Sequence, residues 1–264
     1  MGSLFRKIPI FVINLDRRRD RMEAMHRRLK GLSYERFSAV DGARCSLVKE
    51  QVESFNNTVY PMSPNEFACI LSHLKLCEHI IKAGLPYACI LEDDVFLSKE
   101  FSSFINDDGW IPEGFDLIKF ETMHERVWLS RSSQPVKTVK LHKLGSFHAG
   151  TAAYIVSMRG ALKLSKILSK PDQAADDLIF KKTIEKKLMD VWQINPALCV
   201  QEFAVMDEFS QSDIVSGREN IRSTYRVKPK GLAKLKRELR RPFLQIFEMR
   251  RHLIEQQTIV GFKQ

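Results

Sequence analysis

The sequence lacks the short signatures of the commonest phosphate and nucleophile chemistries. There is no G-x-x-x-x-G-K-[ST], no G-x-G-x-x-G and no G-x-S-x-G. Phosphate loops, dinucleotide fingerprints and nucleophile elbows therefore find no support. No histidine pair has the H-E-x-x-H spacing of a zinc protease. Cysteine is scarce, five in 264 residues, an odd number without a C-x-x-C pair. Cys69, Cys77 and Cys89 sit in apolar surroundings and read as small buried hydrophobes of a reducing compartment, not as disulfides or zinc ligands. No apolar run approaches the ~18 residues that would span a bilayer. The opening MGSLFRKIPIFVIN is not read as a secretory signal, because its apolar stretch at 8–13 is short and NLDRRRDR follows at once. These absences predict a cytoplasmic chain.

What is present is a large core and an uneven charge. Hydrophobic residues make up 44% of the chain, enough for one large domain with an appendage. The net charge is +10, yet residues 1–217 hold 29 Lys and Arg against 28 Asp and Glu. Residues 218–264 hold 13 against 4. The body is electrically ordinary and the tail strongly basic, which suits contact with a polyanionic surface.

Residues 87–95, YACILEDDV, carry the strongest chemical signal. A short apolar run ends in Glu92, Asp93 and Asp94, three acids that repel one another. A solvated acidic turn is the plain reading. A divalent cation bearing a phosphate-containing substrate is the functional one. Glu92 and Asp94 are two apart, so on an extended segment they point the same way, with Asp93 opposed. Such spacing suits Mn²⁺ or Mg²⁺ and follows the D-x-D logic of enzymes that use nucleotide sugars. Asp176 and Asp177, in AADDLIFKK, form a second acidic pair. They suit helix capping, and equally a general base that takes a proton from an acceptor hydroxyl. His73 lies beside an apolar helix face, as a packed residue or as a ligand contact. Arg17, Arg18, Arg19 and Arg21 follow the first strand, as a solvated helix face or as phosphate contacts.

The pattern of elements predicts an α/β body. Residues 8–14 read as a buried strand, 17–32 as a helix, and 36–41 as a second strand closed by an Asp41-Gly42 turn. Residues 63–83 are the clearest helix, with Ser63 as N-cap, Pro64 at the first position and Glu66 completing a capping box. Strands are expected at 87–92, 115–120, 151–157 and 191–194, and helices at 159–168 and 177–188. Alternation of this kind predicts a three-layer α/β/α body with a mainly parallel sheet. Ligands of such sheets bind beyond the carboxyl ends of the strands, where Glu92, Asp93 and Asp94 fall.

Several ordered segments together resemble glycosyltransferase family 25, in particular its lipooligosaccharide β-1,4-galactosyltransferases of Gram-negative bacteria. They are FVINLDRRRDR at 11–21, FSAVDG at 37–42, NEFACILSHLKL at 65–76, LPYACILEDDVFL at 85–97, GTAAYIVSMRGA at 150–161 and QINPALCVQE at 193–202. The resemblance implies a GT-A-like fold over 1–217. It also implies an inverting transfer of a hexose, galactose first, from a UDP-sugar donor with Mn²⁺ or Mg²⁺. It makes Glu92, Asp93 and Asp94 the metal and donor motif, with the metal on Asp94 and Glu92 and the donor on Asp93, and puts Asn14 and Leu15 where a nucleotide would be held; Arg21 and His73 are the further candidates for donor contact. The proton falls to Asp176 ahead of Asp177. A proline-valine-aspartate element of the family falls on Ala174-Ala175-Asp176, where this chain carries two alanines instead.

The tail at 218–264 reads as a basic amphipathic helical segment. Leu232, Leu235 and Leu239 are spaced as one stripe among Lys234, Lys236, Arg237, Arg240 and Arg241. An anionic membrane surface fits that pattern, and a lipid-linked oligosaccharide acceptor resides there. The expected location is therefore cytoplasmic, peripheral on the inner face of the bacterial inner membrane. Two rival functions remain open: a nucleotidyltransferase that makes a nucleotide sugar, and a basic nucleic-acid-binding protein. No zinc pattern or aromatic-basic strand motif supports the latter, and no nucleic acid is expected as a partner.

Overall fold

The computed structural model describes residues 6–45, 62–205 and 251–264. The chain opens with β1 (Ile10–Asn14), all five residues buried, and α1 (Arg19–Arg28). Next come β2 (Glu35–Ser38) and α2 (Pro64–Lys82). Ser63 caps α2: its hydroxyl accepts from the Glu66 amide at 3.2 Å, and Glu66 Oε2 accepts from the Ser63 amide at 2.9 Å. A cap of this kind is worth about 1 kcal/mol. The long apolar face of α2, including Phe67, Ile70, Leu76, Cys77 and Ile80, is buried. Its burial fixes the helix against the sheet.

The sheet then grows from both directions. β3 (Tyr87–Glu92) leads through Asp93 and Asp94 into β4 (Val95–Leu97), and α3 (Phe101–Ile105) follows. After these come β5 (Leu117–Lys119), β6 (Glu121–Thr122), β7 (Arg126–Val136) and β8 (Val139–Leu144). β9 (Ala153–Ser157) runs directly into α4 (Met158–Leu168). A π-helical turn (Asp177–Lys182) precedes the short α5 (Thr183–Glu185). The remaining elements are β10 (Val191–Asn195), β11 (Cys199–Gln201), α6 (Glu202–Val205) and β12 (Glu255–Ile259).

Nine strands form one sheet in the order β12-β7-β8-β10-β5-β9-β3-β1-β2, and β4-β11-β6 form a second, small one. One core cluster joins α2 and α4 to the sheet through Phe67, Leu76, Ala161 and Leu164. The other holds Met25 of α1 and Phe101 and Phe104 of α3 against Val12, Leu91 and Ile155. The result is the three-layer α/β/α body that the alternating pattern predicts.

The sheet is mixed. β2, β1, β3, β5, β10 and β7 share one direction, while β9, β8 and β12 run against them. Three of the eight pairings are parallel, so the expectation of a mainly parallel sheet holds for strand direction but not for pairing. The inserted β9 accounts for much of the difference. It lies antiparallel between β3 and β5, with Leu91 opposite Ala153. This reversal carries the residues just before β9 to the carboxyl end of β3.

The β7–β8 hairpin was not evident from the sequence, because β7 alternates buried residues with many polar ones. The helix expected at 177–188 is instead a π-helical turn followed by one short α turn. The stripe from Leu232 to Leu239, and the boundary at 217/218, lie outside the described residues. The far end of the basic segment joins the body. β12 pairs with β7, and Val260 is buried and accepts from the Thr122 hydroxyl at 2.6 Å.

Candidate active site

The end of β3 holds three acids in three different environments. Glu92 Oε1 accepts from the Thr151 hydroxyl at 2.6 Å and lies 3.3 Å from His73 Nε2. His73, only 1% exposed, reaches the Tyr154 hydroxyl through Nδ1 at 2.9 Å. These hydrogen bonds oppose burial and hold the Glu92 carboxyl below its ordinary range. Asp93 turns the other way, toward β1 and α1. Its Oδ2 accepts from Asn14 Nδ2 at 2.7 Å and its Oδ1 from Arg21 Nη1 at 3.0 Å. Asn14 is itself held by Arg36, whose Nε donates to Asn14 Oδ1 at 2.9 Å. Burial nonetheless pushes the Asp93 carboxyl up.

Asp94, buried at the turn, is the least satisfied of the three. Its Oδ2 is 3.6 Å from Arg21 Nη1, whereas Oδ1 is buried with no hydrogen-bond partner among the described residues. Burial, then the neighbouring charge of Glu92, pushes its carboxyl up to about 7. A buried carboxylate oxygen without a donor costs free energy that a cation would recover. The residues present therefore fit a divalent ion: an orphaned oxygen on Asp94 and a second carboxylate on Glu92 offer it hard oxygen ligands.

Two cavities meet at these acids. The first lies between the end of β1, the Asp41-Gly42 turn and the start of α2, and includes Leu15, Arg17, Arg21, Asn65 and His73. Gly42 is required there, because a Cβ would lie 2.5 Å from the Pro64 carbonyl oxygen. The second includes Glu66, Gly150, Thr151, Asp176, Gln201 and Phe203. Cys69, Glu92 and Asp94 line both. Asp176, half-buried, caps the π-helical turn, its Oδ1 accepting from the Asp177 amide at 3.0 Å. Asp177 faces Lys181 at 3.5 Å and is not among the residues lining either cavity.

The residues expected to serve the metal, the donor and the proton thus fall into groups. Glu92, Asp94 and Asp176 share one cavity, and Leu15, Arg21, His73 and Asp93 line the other. Asn14 sits beneath the site, 2% exposed, with its amide committed to Asp93. Asp177 points to Lys181.

Sequence reasoning missed the ion pair behind the second cavity. Lys119 and Glu121 are both fully buried, with Nζ 2.6 Å from Oε1. Lys119 also donates to the Gly150 carbonyl at 2.5 Å and lies 4.0 Å over the Phe180 ring. Glu121 Oε1 accepts from the Ala152 amide at 3.0 Å, while its Oε2 has no partner among the described residues. Burial pushes the Glu121 carboxyl up to about 7 and the Lys119 ammonium down. Asp176 and Glu92 both feel the Lys119 charge. Gly150, at φ +88°, lets the loop pass, since a Cβ would sit 2.8 Å from Glu121 Oε2. The pair therefore pins the loop that delivers Thr151 to Glu92. Its sequence signal was two charges two apart in an otherwise apolar run, LIKFE at 117–121, which on an extended chain puts both on one face.

A neutral histidine completes this support. The Met123 amide donates to His148 Nε2 at 3.2 Å, so Nδ1 carries the proton toward Gln193 Oε1 at 2.9 Å. Gln193 Nε2 donates to backbone carbonyls of Lys119, Glu121 and Ile194, which fixes its oxygen toward the imidazole. Burial, then the charge of Lys119, pushes His148 down from 6.5 to about 3. Below pH 6.5 the unfolded chain binds a proton at His148 that the folded chain refuses until about pH 3. Its stabilising contribution is thus complete above pH 6.5 and drains as the pH falls. Between pH 7 and 5 this group should cost the fold about 2 kcal/mol. Thermal melts of His148→Gln, whose amide keeps one acceptor and one donor, should show a shallower loss over that range than wild type. An equal slope would contradict the assignment.

Residues 7–180 match glycosyltransferase family 25, described as an LPS biosynthesis protein family. The match covers more than half of the chain, and the chain belongs to that family. It is 34% identical over 180 residues to the lacto-N-neotetraose biosynthesis glycosyltransferase LgtE of Neisseria meningitidis serogroup B, covering 61% of this chain and 63% of that one. It is 34% identical over 173 residues to the lipooligosaccharide biosynthesis protein lex-1 of Haemophilus influenzae, covering 61% and 56%. The chain thus spans about three-fifths of the length of these relatives. A glycosyltransferase involved in glycosylation of the major capsid of PBCV-1 overlies 74% of this chain and 93% of its own, with a TM-score of 0.39 and 10% identity.

Proposed function

We propose that this protein transfers a hexose, galactose first, from a UDP-sugar to a saccharide acceptor of lipooligosaccharide, with inversion at the sugar carbon. The observation that carries the reading is the orphaned carboxylate oxygen of Asp94, buried beside Glu92 where two cavities meet. One cavity would take the nucleotide diphosphate and the other the acceptor. The names of the relatives supply the lipooligosaccharide context.

In this reading Glu92 and Asp94 would hold Mn²⁺ or Mg²⁺, which when bound offsets the charge gathering on the departing diphosphate. Arg17 and Arg21 line the donor cavity and attract the same phosphates. Thr151 and His73 fix the Glu92 carboxylate. Asp176, across the second cavity, takes the proton of the acceptor hydroxyl. The acceptor oxygen then bonds to the sugar carbon as the bond from that carbon to the UDP oxygen breaks. Attack opposite the leaving group inverts the centre. Asp176 is favoured over Asp177 because it lines the cavity, while Asp177 is turned toward Lys181.

The basic residues of 218–250, ahead of the part that joins the sheet, would hold the enzyme on an anionic membrane, at the cytoplasmic face where lipid-linked acceptors are built. Among the described residues no helix is long and apolar enough to cross a membrane. The reading is tested by a screen of UDP-sugars with simple lactose- and glucose-type acceptors, with Mn²⁺ or with chelator. UDP release coupled to a new disaccharide bond is expected with UDP-galactose. Formation of a nucleotide sugar from a sugar phosphate and nucleoside triphosphate would replace the reading with a nucleotidyltransferase.

A further inference from the structure

We propose that Cys69, His73 and Glu92 form a second metal site, selective for a soft divalent ion such as Zn²⁺, whose occupation blocks the Glu92–Asp94 site. Cys69 and His73 stand four residues apart on α2 and so share one helix face. Glu92 approaches that face from the end of β3, its Oε1 3.3 Å from His73 Nε2. The thiol sulfur, one imidazole nitrogen and one carboxylate oxygen all lie within 4.8 Å of one another. Bonds of about 2.0–2.3 Å to a tetrahedral zinc place its ligands about 3.3–3.8 Å apart, roughly 1 Å closer than that outer limit. Small side-chain rotations would close the cluster.

The surroundings suit an ion. Cys69 and Glu92 line both cavities, so the site is open to solution. The Tyr154 hydroxyl at His73 Nδ1 and the Thr151 hydroxyl on Glu92 are outer partners of the kind that orient metal ligands. With Nε2 on the metal, Nδ1–H donates to Tyr154. Binding displaces the thiol proton to solvent, and the thiolate and carboxylate together balance the charge of a divalent ion. Three protein ligands leave a fourth position for water. Sulfur and imidazole favour Zn²⁺ or Co²⁺ over Mg²⁺. Cys77, Cys89 and Cys199 are buried, and burial pushes their thiols up, so none competes from the core.

Binding stands on this cluster alone, whereas inhibition rests on the proposed function, because it works through the shared Glu92. The test is titration of the full chain with Co²⁺, followed by the near-ultraviolet band of cobalt–thiolate charge transfer. A saturable band of one ion per chain is expected, displaced by Zn²⁺, absent in Cys69→Ser and retained in Asp94→Ala. No band in the wild type, an undiminished band in Cys69→Ser, or its loss in Asp94→Ala would overturn the proposal. In the Mn²⁺-supported transfer assay, Zn²⁺ should inhibit Cys69→Ser at least ~10-fold less tightly than wild type. An unchanged inhibition constant would overturn the blocking role. Wild-type protein with the band but without transfer would count against the proposed function and leave the site intact.

Discussion

Asp94→Asn should lower kcat/KM for sugar transfer by ~1,000-fold or more while leaving the fold at least as stable. The two halves have separate causes. A bound ion contributes several kcal/mol of charge stabilisation to a leaving diphosphate, and each 1.36 kcal/mol is tenfold in rate. Asn offers one neutral oxygen in place of a carboxylate and holds such an ion poorly. Stability moves the other way, because the Asp94 carboxyl is buried beside Glu92 and Asp93, with one oxygen unpartnered. A neutral amide removes that repulsion. In chelator, Asp94→Asn should therefore melt at the wild-type temperature or above it. Mn²⁺ at about 100 times its dissociation constant should stabilise wild type by about 2.7 kcal/mol. The same addition should do much less for the variant. A variant that unfolds, or that gains as much from Mn²⁺ as wild type does, would show that Asp94 is a structural acid.

Asp176→Asn should lose ~100- to 10,000-fold in kcat with little change in donor affinity, the range expected for removal of a general base. Asp177→Asn should stay near wild type. The contrast follows from placement: Asp176 lines the cavity that includes Glu92 and Asp94, and Asp177 pairs with Lys181. Both aspartates also begin the π-helical turn, so stability must be measured beside rate. Asn at 176 can still cap that turn through its side-chain oxygen. An inactive Asp177→Asn with an active Asp176→Asn would reverse the assignment. Lys119 adds a further consequence. Its buried charge acts on both Asp176 and Glu92, so one ion pair sets part of the field at both acids.

The parts of the site written in contiguous sequence were legible. The apolar run into Glu92, Asp93 and Asp94 marks a buried strand and its exit, and the Ser63-Pro64-Glu66 pattern marks the start of α2. Both depend on local physics, periodicity and capping. The parts that depend on pairing were not legible. Nothing within 151–157 says that β9 runs antiparallel between β3 and β5, yet that reversal brings Thr151 to Glu92. Lys119 and Glu121 were overlooked because charges in a short strand ordinarily mark an exposed face, and only tertiary burial makes them a pair. Cys69 was read from its apolar neighbours as core, whereas the fold opens it to two cavities. The basic stretch illustrates the same limit. Its charge suggested an appendage, but Glu255–Ile259 complete a sheet edge against β7.

The most direct test of the account is the anomeric configuration of the product. UDP-galactose, in which the sugar is α-linked, should be incubated with a glucose-type acceptor and Mn²⁺, and the new linkage read from its proton coupling by NMR. The account predicts a β-linked product and no transfer in excess chelator. An α-linked product, or full activity in chelator, would contradict it.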